Sequence, residues 1–182
     1  MISGQELVPS KRDRGTEQWL ANDALFFEEA RKGQKWQDYV AKKLSAEEGI
    51  IATSDSLTLR DNVKDRHDYA NQKDIVVEAP AGRFVIEVKS RSLKFTGRAN
   101  FPFSDTIVET VGSFKGRNFT PDFWVMVSQL TGGMFVLSYK TKEFWTVKDT
   151  FDTVRKITDA TYYCPTRKAM SYELFVERLQ GK

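Results

Sequence analysis

Two short apolar runs separated by a Pro-Ala-Gly stretch constrain the fold of this chain more than any other feature. The runs, residues 74–79 and 83–92, are rich in β-branched side chains, and such runs joined by proline and glycine are typical of a β-hairpin. Three ionisable residues interrupt them: Asp74, Glu87 and Lys89. Because successive side chains of a strand point to opposite faces, Glu87 and Lys89 share one face of the second strand.

The register of the hairpin decides whether Asp74 joins that face. If the apolar faces of both strands pack on the core, Asp74 lies on the same side as Glu87 and Lys89. Asp74 reaches that face only if the numbers of two paired residues add up to an odd value. A slip of one residue in the pairing moves a strand's side chains to the other face. We predict a four-residue loop, residues 80–83, which pairs Asp74 with Lys89 and Val76 with Glu87, or an equivalent register restored by a bulge.

Two carboxylates and an ammonium group on one face suit a hard divalent cation beside a phosphate. An Asp that opens an apolar strand, then about a dozen residues, then Glu87-Val88-Lys89 on the next strand resembles the PD-(D/E)XK nuclease superfamily. The first half reads Lys73-Asp74 here rather than Pro-Asp, while the second half fits the pattern in full. The other interpretation of the same residues is an amphipathic hairpin whose Glu87 and Lys89 face water.

The resemblance implies a fold and a set of roles. The fold is α/β and restriction-endonuclease-like, with an α-β-β-β-α-β core over about residues 33–139 and a mixed central sheet flanked by helices. Asp74 and Glu87 would ligate Mg²⁺, which Mn²⁺ can replace, together with the backbone carbonyl of Val88. Lys89 would activate or position the attacking water.

The first core helix of the superfamily often carries a Glu followed by an apolar residue three positions later and a Leu seven positions later. Gln37, Val40 and Leu44 match that spacing. The acidic position holds Gln37, with Asp38 beside it, so the resemblance implies that Gln37 orients a water by hydrogen bonding rather than binding the metal.

A basic stretch follows the hairpin. Between Lys89 and residue 104 the chain carries Arg91, Lys94 and Arg98 and no acidic residue, with Phe95 among them. Basic groups neutralise phosphates and aromatic rings stack on bases, so these four residues are predicted to bind nucleic acid. The alternative is a solvated loop whose phenylalanines cap the core. The net charge of +3 permits nucleic-acid binding without arguing for it.

Composition narrows the class of protein. The 182 residues predict a mobile arm over residues 1–15 and a single domain over residues 16–182. Cys164 is the one cysteine, which excludes an internal disulfide and a Cys-rich zinc site, and His67 is the one histidine, which leaves little room for a His-based metal site. The chain has no apolar run long enough to span a bilayer, so we expect a soluble, cytoplasmic protein without a membrane partner.

Periodicity and turn residues predict the remaining elements. The predicted helices cover residues 16–32, 34–47, 105–114 and 172–179, with a break at Gly33 and caps at Thr16, Ser104 and Ser171. The predicted strands outside the hairpin cover residues 50–59, 121–128, 134–139 and 145–148, and residues 60–72 form a charged connection.

Two functions of different classes fit these observations. The first is a Mg²⁺-dependent nuclease acting on DNA, an endonuclease of the restriction, junction-resolving or phage type. One active site cuts one strand, so cleavage of both strands would need a homodimer. The second is a non-catalytic module that binds nucleic acid or a protein on the same fold. RNA is a third, weaker interpretation of the substrate, and divalent-metal binding separates the first two.

Overall fold

The computed structural model describes residues 17–55, 72–153 and 156–182. The predicted arm over residues 1–15, the cap at Thr16, the end of the predicted strand at residues 56–59, and His67 with nearly all of its charged connection lie outside the described residues. Within them the chain is a mixed α/β protein with two sheets and a few helices.

The larger sheet is mixed and, in the described residues, has six strands. They are β1 Ile51–Ser54, β2 Ile75–Ala79, β3 Gly82–Arg91, β5 Phe123–Ser128, β6 Met134–Ser138 and β9 Met170–Ser171. Their order in the sheet is β1-β2-β3-β5-β6-β9, with β3 and β5 parallel and the other neighbours antiparallel. The predicted mixed central sheet is therefore confirmed.

The smaller sheet is antiparallel, and its strands are β4 Asp105–Thr110, β7 Thr146–Asp152 and β8 Ile157–Pro165. They lie in the order β4-β8-β7. The α-helices of the described residues are α1 Glu17–Ser45, α2 Val111–Gly116 and α3 Tyr172–Leu179, and short 3-10 turns cover Arg98–Asn100, Tyr139–Phe144 and Thr166–Lys168.

The predicted helix break at Gly33 is wrong, because α1 runs through it without interruption. A glycine inside a helix costs only about 1 kcal/mol relative to alanine. The C-terminal half of α1 recovers more than that by burying Val40 and Leu44 completely against the sheet. Packing therefore overrides the local preference of one residue.

The predicted helix over residues 105–114 is also wrong in its first half, which is strand β4. A bulge between Ile107 and Glu109 buries the neighbours Val108 and Glu109 together, and this breaks the alternation expected of a strand. The helix that follows is capped not by Ser104 but by Thr110, whose hydroxyl accepts a hydrogen bond from the Ser113 N–H at 3.2 Å.

Strand β5 separates two hydrophobic cores. Every residue of β5 is buried, as predicted for a central strand. Val125 and Val127 face the core that contains α1 and α3, whereas Trp124 and Met126 face a second core that also contains Phe95. The central sheet is therefore covered on both faces.

The last helix connects the C-terminal region to the hairpin. Ser171 caps α3 as predicted, since its hydroxyl accepts from the Leu174 N–H at 3.3 Å. Further along α3, the Leu179 carbonyl accepts from the Ala81 N–H at the hairpin turn, at 2.9 Å. Among the described residues, none of the helices has the length and apolar character needed to cross a membrane.

A close approach at Gly133 yields a stability prediction. A Cβ there would lie 2.5 Å from the carbonyl oxygen of Phe95 and against the backbone of Thr96. Overpacking typically costs about 1–3 kcal/mol, so Gly133→Ala should lower the free energy of unfolding by at least that much in urea titrations. Gly112→Ala is the matched control, because nothing lies within 4 Å of its Cβ position. Equal stability of both variants would contradict the packing described.

Candidate functional site

The β2–β3 hairpin has the predicted parity but a shorter loop. Ala79 pairs with Gly82 and Ile75 with Ile86, so paired numbers sum to an odd value as predicted. The predicted four-residue loop is wrong: only Pro80 and Ala81 lie between the strands. Gly82 begins β3 with φ +131°, a conformation that side chains disfavour, and this permits the tighter connection. One step beyond β2, Asp74 lies opposite Glu87 rather than Lys89.

The hairpin divides apolar and charged side chains between the two faces of the sheet. Ile75, Val77 and Ile86 belong to the core that contains α1. Glu87 and Lys89 therefore lie on the other face, where the parallel pairing sets them beside Trp124 and Met126 of β5. The charged residues thus border the second core.

Glu87 is a buried carboxylate held by two cations. Lys89 Nζ lies 2.6 Å from Glu87 Oε1, and Arg117 Nη1 lies 3.1 Å from Oε2. The side chain of Glu87 is 9% exposed and that of Lys89 is 22% exposed. Burial would raise the pKa of Glu87, but the charges of Lys89 and then Arg117 outweigh burial and hold the pKa below its usual value.

Asp74 completes the group from the end of β2. Its Oδ2 accepts a hydrogen bond from the Val88 N–H at 2.8 Å. If β2 began earlier in the chain, its backbone would take this hydrogen bond instead. Burial, and next the charge of Glu87, raise the pKa of Asp74 to about 7. The N–H and carbonyl of one strand residue point to the same side of the strand, so the Val88 carbonyl lies on the side of β3 that faces β2.

Two residues that the sequence did not predict, Glu109 and Arg117, also belong to this group. Arg117 Nη2 lies 2.7 Å from Glu109 Oε2, and Trp124 Nε1 donates to Glu109 Oε1 at 3.0 Å. Burial is the main cause that raises the pKa of Glu109. An acidic residue within the apolar run 107–111 was the available signal for Glu109; nothing in the sequence marks Arg117. We call Asp74, Glu87, Lys89, Glu109 and Arg117 the charged cluster.

Gln37 is not brought to the charged cluster. It lies on α1, which packs on the opposite face of the central sheet, and no hydrogen bond within the described chain connects it to Asp74 or Glu87. The neighbouring Asp38 accepts from the Ser54 hydroxyl at 2.7 Å, so it ties α1 to β1 instead.

The predicted nucleic-acid-binding residues divide into three kinds. Phe95 is completely buried against Phe101 and Phe135, so its ring is not available to stack on a base. The guanidinium of Arg91 donates to the Ile107 carbonyl at 2.9 Å, and burial lowers its pKa to about 10. Lys94 is exposed.

Arg98 serves as a structural bridge. Its guanidinium donates to the carbonyls of Arg167 at 3.0 Å and Ala169 at 2.9 Å. These hydrogen bonds connect the basic stretch to the segment after β8. Of the exposed basic residues in the stretch, Lys94 lies closest in sequence to Lys89 of the charged cluster.

The oxygen donors of the charged cluster are of the hard type that Mg²⁺ and Mn²⁺ prefer. Asp74, Glu87 and the Val88 carbonyl offer hard oxygen ligands, and Mg²⁺ is usually bound by one or two carboxylates while it keeps several waters. No group of three or more His, Cys, Asp or Glu residues in the described ranges is arranged to hold a metal ion. Within the part of the chain that the structure describes, a metal bound here would depend on the carboxylates of Asp74 and Glu87, and Glu87 would have to give up contacts with its cations.

Comparisons of the chain with protein-family models, with curated proteins and with solved structures each found no match.

The pKa of Asp74 yields a pH-dependent prediction for the metal-free protein. Because the folded protein holds this proton more tightly than the unfolded chain, the contribution of Asp74 to stability falls as pH rises from 3.8 toward about 7. Asp74→Asn removes that loss, so its free energy of unfolding should exceed the wild-type value increasingly from pH 5 to pH 8, by on the order of a few kcal/mol. Urea titrations in EDTA measure it.

Asp122→Asn is the matched control for this prediction. Asp122 also accepts a backbone N–H of β3, that of Val85 at 2.8 Å, but it is exposed. This variant shows what the loss of an exposed carboxylate that accepts a β3 N–H does to stability under the same conditions. A pH-independent difference for Asp74→Asn would mean that Asp74 is not a proton-holding carboxyl group.

Proposed function

We propose that this protein is a Mg²⁺-dependent nuclease that hydrolyses DNA phosphodiester bonds as an endonuclease. The observation that carries the proposal is the position of Asp74 opposite Glu87, with Lys89 Nζ 2.6 Å from the Glu87 carboxylate. Two hard carboxylates and one ammonium group at the end of a strand pair are the groups that metal-assisted phosphodiester hydrolysis needs.

Each group has a distinct role in the proposal. Asp74, Glu87 and the Val88 carbonyl hold Mg²⁺, which lowers the pKa of bound water and neutralises charge on the phosphate. Burial would lower the pKa of Lys89, but Glu87 and Glu109 outweigh it and raise that pKa, so Lys89 stays protonated. It therefore acts by orienting the attacking water or by offsetting charge on the phosphate.

The proposal includes a restriction-endonuclease-like topology. The order α1-β1-β2-β3-α2-β5 corresponds to α-β-β-β-α-β, with β4 inserted before α2. The antiparallel β1-β2-β3 unit followed by a crossover to a parallel strand supports this assignment. Gln37 lies on the far side of the sheet from the charged cluster, so we assign it no role in the reaction.

One observation favours a second candidate, a binding module without chemistry. Both carboxylate oxygens of Glu87 already accept from Lys89 and Arg117, so the charge on Glu87 is balanced without a metal. Such a module needs no affinity for Mg²⁺ or Mn²⁺. Calorimetric titration with Mn²⁺ separates the two functions. If the protein is a nuclease, wild-type protein should bind Mn²⁺ and Asp74→Asn should not; if it is a binding module, wild-type protein should not bind Mn²⁺ either.

Conservative variants of the charged cluster test the chemistry. Asp74→Asn, Glu87→Gln and Lys89→Gln should each reduce Mg²⁺-dependent cleavage of supercoiled, linear or branched DNA by about 100-fold or more. EDTA should abolish wild-type cleavage, and Mn²⁺ should restore it. Gel assays of strand cleavage measure the rates, and thermal melting checks that each variant is folded.

The matched control for these variants is Glu78→Gln on the same hairpin. Glu78 forms an exposed ion pair with Arg83 at 3.1 Å, away from the charged cluster. This variant should cleave like wild-type protein. Full activity in any two of the three cluster variants would remove the proposed assignment.

The exposed Lys94 tests the predicted contact with nucleic acid. Lys94→Gln should lower the slope of log affinity against log salt by about 0.7–0.9, because one phosphate contact is lost. Lys42→Gln is the control, since Lys42 is an exposed cation on α1 at the other face of the sheet. Fluorescence anisotropy with a labelled duplex at several salt concentrations gives the slope; an unchanged slope would make Lys94 ordinary solvated surface.

A further inference from the structure

Arg117 occupies a position between two carboxylates of the charged cluster. Its guanidinium lies 3.1 Å and 3.4 Å from the two oxygens of Glu87 and 2.7 Å from Glu109. The side chain is 9% exposed, and that of Glu109 only 2%. Arg117 is thus a buried cation shared by one proposed metal ligand and one acidic residue that has no role in the proposed reaction.

The contacts of Arg117 with Glu109 and with Glu87 differ in length and in the other residues that hold each carboxylate. The contact with Glu109 is the shorter one, and Glu109 is itself held by the indole N–H of Trp124 at 3.0 Å. The contacts with Glu87 are longer and compete with Lys89 for the same carboxylate. If Glu87 turns its oxygens toward a bound cation, Arg117 keeps its anchor on Glu109 and gains unpaired N–H groups.

The charges of the cluster support this exchange. When all three carboxyl groups of the cluster are ionised, as metal binding to Asp74 requires, they face two side-chain cations. A bound divalent cation then leaves the cluster with one excess positive charge. A phosphodiester carries one negative charge and would neutralise it. A planar guanidinium with freed N–H groups is well suited to hydrogen-bond phosphate oxygens.

We propose that Arg117, anchored by Glu109, competes with the divalent cation for Glu87 and, once displaced from Glu87, binds the phosphate of the nucleic acid. The inference rests on the proposed function of the same site. Arg117 is then a substrate-contacting residue, and Glu109 is the residue that positions it. A purely structural Arg117 would instead keep Glu87 in place, and its loss would weaken metal binding.

Arg117→Gln separates these two roles by a measurement that needs no activity. Without its competitor, Glu87 should bind Mn²⁺ more tightly, by about fivefold or more, since apparent affinity rises with the binding-competent fraction. Calorimetry or the EPR signal of free Mn²⁺ gives the Kd without DNA. The same variant should cleave DNA at least about tenfold more slowly because its phosphate contact is lost.

Arg83→Gln is the matched control, since Arg83 is an exposed arginine of the same hairpin paired with Glu78. Its Mn²⁺ affinity and cleavage should equal those of wild-type protein. Glu109→Gln keeps an acceptor for Trp124 but loosens the anchor, so it should bind Mn²⁺ more weakly and cleave more slowly. This variant provides the test if Arg117→Gln does not fold.

Unchanged or weaker Mn²⁺ binding by Arg117→Gln, or tighter binding by Glu109→Gln, would overturn the inference, and so would wild-type cleavage by Arg117→Gln. If wild-type protein still binds Mn²⁺ through Asp74 and cleaves DNA, those results leave the proposed nuclease intact. Absence of Mn²⁺ binding and of cleavage in every variant and in wild-type protein would instead overturn both proposals.

Discussion

The register of the β2–β3 hairpin is the constraint on which both the core and the charged cluster depend. A slip of β3 by one residue would turn Ile86 out of the core that contains α1 and bring the carboxylate of Glu87 into it. Each lost aliphatic side chain costs about 1.5–3 kcal/mol, and an unpaired buried charge costs several more. The turn is also held from outside, because the Ala81 N–H donates to the Leu179 carbonyl.

The charged cluster is more than folding requires. Replacing a buried ion pair by apolar residues of similar volume is often neutral or stabilising, whereas removing one partner costs about 3–5 kcal/mol. A network of Glu87, Glu109 and Arg117 next to a core of Trp124 and Met126 is therefore poorly explained by stability alone. Lys89, which keeps 22% of its side chain exposed, connects this network to the solvent.

The sequence was most informative where one strong local signal agreed with the packing. The continuous apolar run of β5, the cap at Ser171 and the odd parity of the hairpin were all predicted correctly. Prediction from the sequence was wrong where tertiary contacts overrode a weak local signal. Gly33 did not break α1, and the bulge in β4 made a strand resemble a helix. Arg117 reaches Glu87 across 30 residues of sequence, a contact that periodicity cannot encode.

The proposed metal site can be tested by a crystal structure of the wild-type protein with Mn²⁺, in which anomalous scattering locates the metal. We expect an anomalous peak between the carboxylates of Asp74 and Glu87, near the carbonyl of Val88, with Arg117 moved away from Glu87 and still bound to Glu109. A structure at saturating Mn²⁺ that shows no peak there, with Glu87 still held by Lys89 and Arg117, would contradict it.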